Sequence, residues 1–223
     1  MNTREILNKT ENFVKQSMKG DSSGHDWWHI HRVRNIAINI AIKENADVFI
    51  VELAALLHDI SDWKFSDEKE NKEQSKVKIW LEQMKVQLNF ISHICEIIND
   101  LSFKGAGVSS NMKTLEGKIV QDADRLDAIG AIGIARTFAY GGSKGREIYN
   151  PEIKPVFHAT FEDYKKTTAP TLNHFFEKLL LLKDLMNTKT AKQMANERHL
   201  FMEQFLTIFF METELKYSDY KIQ

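Results

Sequence analysis

The first 150 residues of this 223-residue chain contain no proline; the three present are Pro151, Pro155 and Pro170. Proline removes a backbone donor and clashes with the preceding helical turn, so its absence leaves long helices unopposed over most of the chain. The apolar spacing agrees. Ile30, Val33, Ile36, Ala37, Ile40 and Ala41 recur at three- and four-residue steps, the period of one helix face. Val48, Val51, Ala55 and Leu56 do the same, with Asp47 placed to cap the helix start. Phe90, Ile94, Ile97, Ile98 and Leu101 predict a further helix, and Lys69–Met84 predicts a charged, solvent-facing one. Leu115–Ala139 reads as two helical stretches jointed near Gly130–Gly133. Pro170 sits where a helix should begin, followed by the stripe Leu172, Phe175, Phe176, Leu179 and Leu182. The last long helix carries Met194, Phe201, Phe205 and Phe209. No strand-like alternation and no internal repeat is present, so the expectation is an all-α fold of several packed helices.

No low-complexity linker divides the chain, and one domain over 1–223 is expected. Gly141–Pro155 is the one long, polar, glycine-bearing segment. It predicts a surface loop, with a lid as its second reading. Helices are expected again over 170–216. Lys plus Arg is 30 against 31 for Asp plus Glu, a formal charge of −1, which argues against a nucleic-acid or anionic-membrane binder. Cys95 is the only cysteine, which excludes an intrachain disulfide and any site needing two thiolates. The N-terminus lacks a basic-then-apolar leader pattern, and the nearly unbroken apolar stretch Val48–Leu57, interrupted by Glu52, is far too short to span a bilayer. These features predict a cytoplasmic protein that binds neither nucleic acid nor membrane. They leave homo-oligomerisation open.

The chemistry lies in three separated pieces: GHDWWHIHRV at 24–33, LLHDISD at 56–62 and VQDADRLD at 120–127. Each puts imidazole or carboxylate beside an apolar helix stripe. Two histidines and two carboxylates converging from separate helices make a mixed nitrogen–oxygen site, which suits Mn, Fe, Co, Ni or Zn better than soft-ligand metals. Four protein ligands about an octahedral ion leave positions for water and substrate, the arrangement that activates water and polarises a phosphoryl oxygen.

The order H…HD…D resembles the HD-domain metal-dependent phosphohydrolases, an all-helical superfamily named for its adjacent His-Asp pair, here His58-Asp59. HDWWHIHRVRNIA, ALLHDISDWK, VQDADRLDAIGAIGIAR and HFFEKLLLLKDLMNTKTAKQMANERHLFM together resemble a subgroup of small stand-alone bacterial members, from about Gly24 to about Phe210. The motif core then covers about 24–140. Residue by residue, the resemblance implies metal ligation by His29, His58, Asp59 and Asp124, with Asp122 the nearest rival for the last place. His31, two residues from His29, faces away from it and reads as a surface or packing residue. Asp26 reads first as a helix cap, and His25 with Asp26 as a pair that orients His29 or handles protons. His93 is the only histidine between the HD pair and Asp124, which favours one divalent metal ion. Mn is the first choice, with Co, Ni, Fe, Zn and Mg as alternatives.

A divalent ion among two carboxylates and two neutral imidazoles is nearly neutral, so a polyphosphate needs further positive charge. Arg32, Lys104, Arg125, His174, Lys178 and Arg198 are the candidates, each with an ordinary salt bridge as its bland alternative. Lys144 and Arg146 read as solvated. Trp27, Trp28 and Trp63 flank the first two motifs, as core by default or as walls for a base. The resemblance implies hydrolysis of phosphate esters or anhydrides, chiefly in nucleotides. The expected reaction cuts a nucleoside triphosphate to monophosphate and pyrophosphate, with His58 and Asp59 at the centre and Asp62, Asp127 or the His25–Asp26 pair as proton acceptor. The competing readings are a nucleotide phosphomonoesterase and a catalytically idle, metal-bound ligand sensor or interaction module.

Overall fold

The computed structural model describes residues 2–19, 26–60, 73–101, 112–156, 169–213 and 220. His25, Asp62, Trp63 and Lys104 therefore lie outside the described residues. Those described form nine α-helices, one 3₁₀ segment and no strand. The helices are α1 (Thr3–Ser17), α2 (Trp27–Glu44), α3 (Val48–Leu57), α4 (Glu73–Gln83), α5 (Leu88–Asp100), α6 (Leu115–Asp127), α7 (Gly130–Ser143), α8 (Asn173–Glu177) and α9 (Lys189–Glu212). The 3₁₀ segment, Leu179–Leu185, follows α8. The fold is all-α, as the sequence predicts. No helix among the described residues is long and apolar enough to cross a membrane.

Helix starts follow from short polar side chains. Asn2 Oδ1 accepts from the Glu5 N–H at 2.8 Å, Asp26 Oδ1 from the His29 N–H at 2.9 Å, and Asp47 Oδ1 from the Phe49 N–H at 2.9 Å. Each satisfies donors that have no partner within the first turn. The chain leaves α2 through Asn45 at φ 57°, a left-handed conformation that Asn tolerates better than most residues.

The chain packs as two compact units, one drawn from Met1–Ser102 and Asn111–Ala123, the other from Asp124–Gln223. In the first unit α3 packs with α1, α2 and α5. Every residue from Ile50 to Leu57 is buried, including Glu52. A helix buried all round is a core helix rather than an amphipathic cover, so the face Val48, Val51, Ala55 and Leu56 is only part of what α3 buries. The α2 stripe is as expected, with Ile30, Val33, Ala37, Ile40 and Ala41 fully covered. Phe13 of α1 stacks on Trp80 of α4 with ring centroids 4.1 Å apart, and the Trp80 indole donates to Thr10 Oγ1 at 3.0 Å.

In the second unit α7 and the 3₁₀ segment pack on α9. Two expectations shift here. The loop predicted from Gly141 begins only after Ser143, because Gly141 closes a helix contact: a Cβ there would lie 2.1 Å from Thr171 Oγ1. On α9 the buried face is Ala191, Ala195, Met202, Leu206 and Phe210, while Phe201 is exposed. One residue of phase is about 100° on a helix, and the richest aromatic row is not the row that faces inward. Phe205 sits at the margin, stacked on Phe175 at 5.8 Å. The helix expected at Pro170 starts at Asn173, because the Thr171 and Leu172 N–H groups donate to Glu147 O and Ile148 O at 2.8 and 3.0 Å.

Candidate metal centre

His29 lies in the first turn of α2 and His58 directly after α3. Their Nε2 atoms approach to 3.3 Å. Asp59 Oδ2 lies 3.3 Å from His29 Nε2 and 3.6 Å from His58 Nε2. Among the described residues, His29, His58 and Asp59 are the group of histidine, cysteine and carboxylate donors lying within 4.8 Å of one another. His29 is buried, with 1% of its surface exposed.

The His58 ring is oriented from behind. Its Nδ1 lies 2.8 Å from Ala55 O, one turn back on α3. A carbonyl only accepts, so Nδ1 carries the proton and Nε2 presents its lone pair to His29 and Asp59. A buried imidazole nitrogen, a second imidazole nitrogen and a carboxylate oxygen facing one point repel one another unless a proton or cation sits between them. This donor set fits a borderline divalent cation. The Asp26 cap acts on the His29 backbone and anchors the helix end that carries the ligand. His31 packs against Trp27 and Trp28, with ring centroids 5.6 and 5.8 Å away, and turns from the centre as expected. Trp28 is exposed rather than core. His93 Nε2 lies 3.9 Å from Glu116 Oε2.

Asp122 is fully buried, and Asp124 is half-buried in the second unit. Arg32 is half-buried on α2, three residues beyond His29. Within the second unit, Asp127 is buried and its Oδ2 accepts from Arg136 Nη1 at 2.8 Å. Arg125 Nη1 donates to Leu185 O at 2.5 Å, and Arg198 Nη1 donates to Leu126 O. Burial pulls the Arg198 guanidinium below its ordinary value, while the Asp127 carboxylate acts in the opposite sense. These cations thus brace carbonyls around the end of α6. Burial, with Lys178 and then Arg146 alongside, pushes His174 down to about 3. The imidazole is therefore neutral at physiological pH, and Arg146 is half-buried instead of solvated, while Lys144 is exposed.

Three contributors escape the sequence reading: the Ala55 carbonyl, Arg136, and the ion pairs of Arg34 with Glu52 and Glu11. A backbone carbonyl leaves no residue-type signal. Glu52 does, as the lone charge inside the apolar run of α3.

The helical architecture and this His, His-Asp arrangement coincide with a match to the HD domain family over residues 27–129, and the chain belongs to that family of hydrolases. It is 42% identical to the Bacillus subtilis protein YpgQ over 87% of this chain and 87% of that one. A crystal structure of an HD-superfamily hydrolase from Bacillus thuringiensis superposes with a TM-score of 0.76 at 47% identity, covering 96% of this chain and 99% of that one. A crystal structure of YpgQ in complex with ADP superposes with a TM-score of 0.73 at 39% identity, covering 92% and 97%.

Proposed function

We propose that the protein is a divalent-metal-dependent phosphohydrolase that cuts nucleoside triphosphates to monophosphate and pyrophosphate. The observation that carries this is the convergence of His29 Nε2, His58 Nε2 and Asp59 Oδ2 at 3.3–3.6 Å. Asp124 is proposed as the fourth ligand on the resemblance of Ala123-Asp124-Arg125-Leu126. The nucleotide is supported by the ADP held in the YpgQ crystal structure. When bound, a divalent cation, Mn in the first instance, lowers the pKa of water and neutralises a phosphoryl oxygen.

The chain's own residues do the rest. The Ala55 carbonyl holds the His58 tautomer. Arg32, Lys104, Arg125, Lys178 and Arg198 supply positive charge for the phosphate chain, and His174 serves as a neutral hydrogen-bonding group. Water attacks the α-phosphorus, the bond to the bridging oxygen breaks, and pyrophosphate leaves with the electron pair. The water proton passes to Asp62, four residues beyond His58. Asp127, already committed to Arg136 at 2.8 Å, is the second choice.

The deciding assay uses metal-stripped protein, re-supplied with Mn, Co, Mg, Ni or Zn and given nucleoside mono-, di- and triphosphates. Pyrophosphate and orthophosphate are resolved, with Asp59→Ala as control. Metal-dependent pyrophosphate release, lost in the control, is the expected result. Orthophosphate from monophosphates makes it a nucleotidase. Tight metal binding without turnover of any nucleotide overturns the hydrolase reading in favour of a ligand sensor.

A further inference from the structure

The α2–α3 pair is an antiparallel hairpin, because its contacts pair residues whose numbers approach one another. His29 meets His58, Arg34 meets Glu52, and the Ala46 N–H donates to Ala41 O at 3.0 Å at the turn. Arg34 lies five residues beyond His29, and Glu52 six before His58, steps of about 7.5 and 9 Å along the two helices. The ion pair therefore sits between the ligand end of the hairpin and its turn, in the same register as the two histidines.

Its geometry suits a clamp. Arg34 Nε donates to Glu52 Oε1 at 2.8 Å, and Nη2 reaches the same oxygen. The third nitrogen, Nη1, donates to Glu11 Oε2 of α1 at 2.8 Å. Side-chain exposures are 17% for Arg34 and 10% for Glu52, so both charges are largely removed from water. On the same two helices Val33, Ala37, Leu53 and Leu56 are apolar and fully buried. Apolar contacts are non-directional, whereas a buried guanidinium accepts only the register that returns its carboxylates. A one-residue slip moves a helix by about 1.5 Å and rotates it by about 100°, enough to turn His29 away from His58.

We infer that the Arg34–Glu52 pair, backed by Glu11, locks the register of the α2–α3 hairpin and so positions His29 and His58 for a common cation. Arg34 and Glu52 are positioning residues; neither touches the ion. The inference rests on the reading of His29, His58 and Asp59 as cation ligands.

The test is Co(II) titration of the full-length protein, read by visible ligand-field absorbance. Arg34→Met combined with Glu52→Leu replaces the pair with apolar side chains, an exchange that commonly preserves stability. The double variant is expected to keep its helical circular dichroism and to bind Co(II) about 10- to 100-fold more weakly, with shifted bands. Arg34→Lys keeps the charge but loses the planar fork; it is expected to fall between wild type and the double variant, and it carries the test if the double variant does not fold. Leu81→Ala, in the buried face of α4, controls for stability loss alone and should leave Co(II) affinity unchanged. Unchanged affinity and bands in both Arg34 variants overturn the lock. His29→Ala separates the two readings. If it binds Co(II) as tightly as wild type, the cation site itself fails; if it loses binding while the Arg34 variants keep theirs, only the lock fails.

Discussion

His58 and His174 are the same side chain in opposite settings. His58 follows a core helix buried from Ile50 to Leu57, and its Nδ1–H donates to the Ala55 carbonyl at 2.8 Å, which turns Nε2 toward His29 and Asp59. His174 lies half-buried in a five-residue helix of the second unit, with Lys178 and Arg146 as cationic neighbours. The Asp59 carboxylate and the His29 imidazole beside it give the first the surroundings of a cation ligand. Desolvation first, and then the cationic neighbours Lys178 and Arg146, make the second a neutral group that resists protonation. The imidazole alone does not decide its chemistry; desolvation, the charged groups beside it and the acceptor behind the ring do.

Replacing each histidine by alanine breaks this comparison most sharply. His58→Ala should abolish high-affinity Co(II) or Mn(II) binding by calorimetry, while His174→Ala should bind the metal like wild type. Equal metal affinity in the two variants would dissolve the distinction.

Packing gives the next largest effect. Leu53→Ala, in the core helix of the first unit, should cost about 2–5 kcal/mol in urea unfolding. Gly141→Ala, in the second unit, drives a Cβ to 2.1 Å from Thr171 Oγ1 and should cost about 1–3 kcal/mol. Full native stability in Gly141→Ala would show that Thr171 moves aside freely.

His174 also links stability to pH. The folded His174 pKa, about 3, lies below its ordinary 6.5, so the unfolded chain binds the proton more readily between those values. Stability from this group is complete above pH 6.5 and declines as pH falls toward 3, by at most about 1.4 kcal/mol per unit. His174→Gln should flatten that acid limb, as read from urea midpoints at pH 7 and pH 4.5; an unaltered slope would mean that His174 protonates at no cost.

The smallest effect is at the α2 start. Asp26→Ala removes the bond to the His29 N–H and should cost about 1 kcal/mol, with Asp26→Asn recovering most of it.

Much of the fold is legible in the residue pattern. The α2 stripe, the Asp47 cap and the joint at Gly130 all follow from local rules, Gly130 taking φ 76° at the start of α7. The misplacements share one cause. The inward phase of α9 and the late start of the predicted loop depend on what packs opposite, Phe175 on Phe205 and Thr171 on Gly141, and neither partner is near in sequence. At the site, His29, His58 and Asp59 are marked by the family resemblance of their motifs, and the fold brings them together. Arg34 is not, because one arginine among many carries no mark of the two glutamates it joins.

Residue order alone determined that the chain is helical, where most helices begin, and which histidines and carboxylate stand next to apolar stripes. Those properties are local: they depend on proline, on short polar caps and on a 3.6-residue period. Tertiary structure decided which nitrogen of His58 faces the centre, that Asp127 is spoken for by Arg136, and that His174 is neutral. The Asp127 pairing and the His174 shift are set by desolvation and by donors or charges from other segments, and the His58 nitrogen that Ala55 turns outward meets His29 only from another helix. Such interactions exist only once the helices have packed.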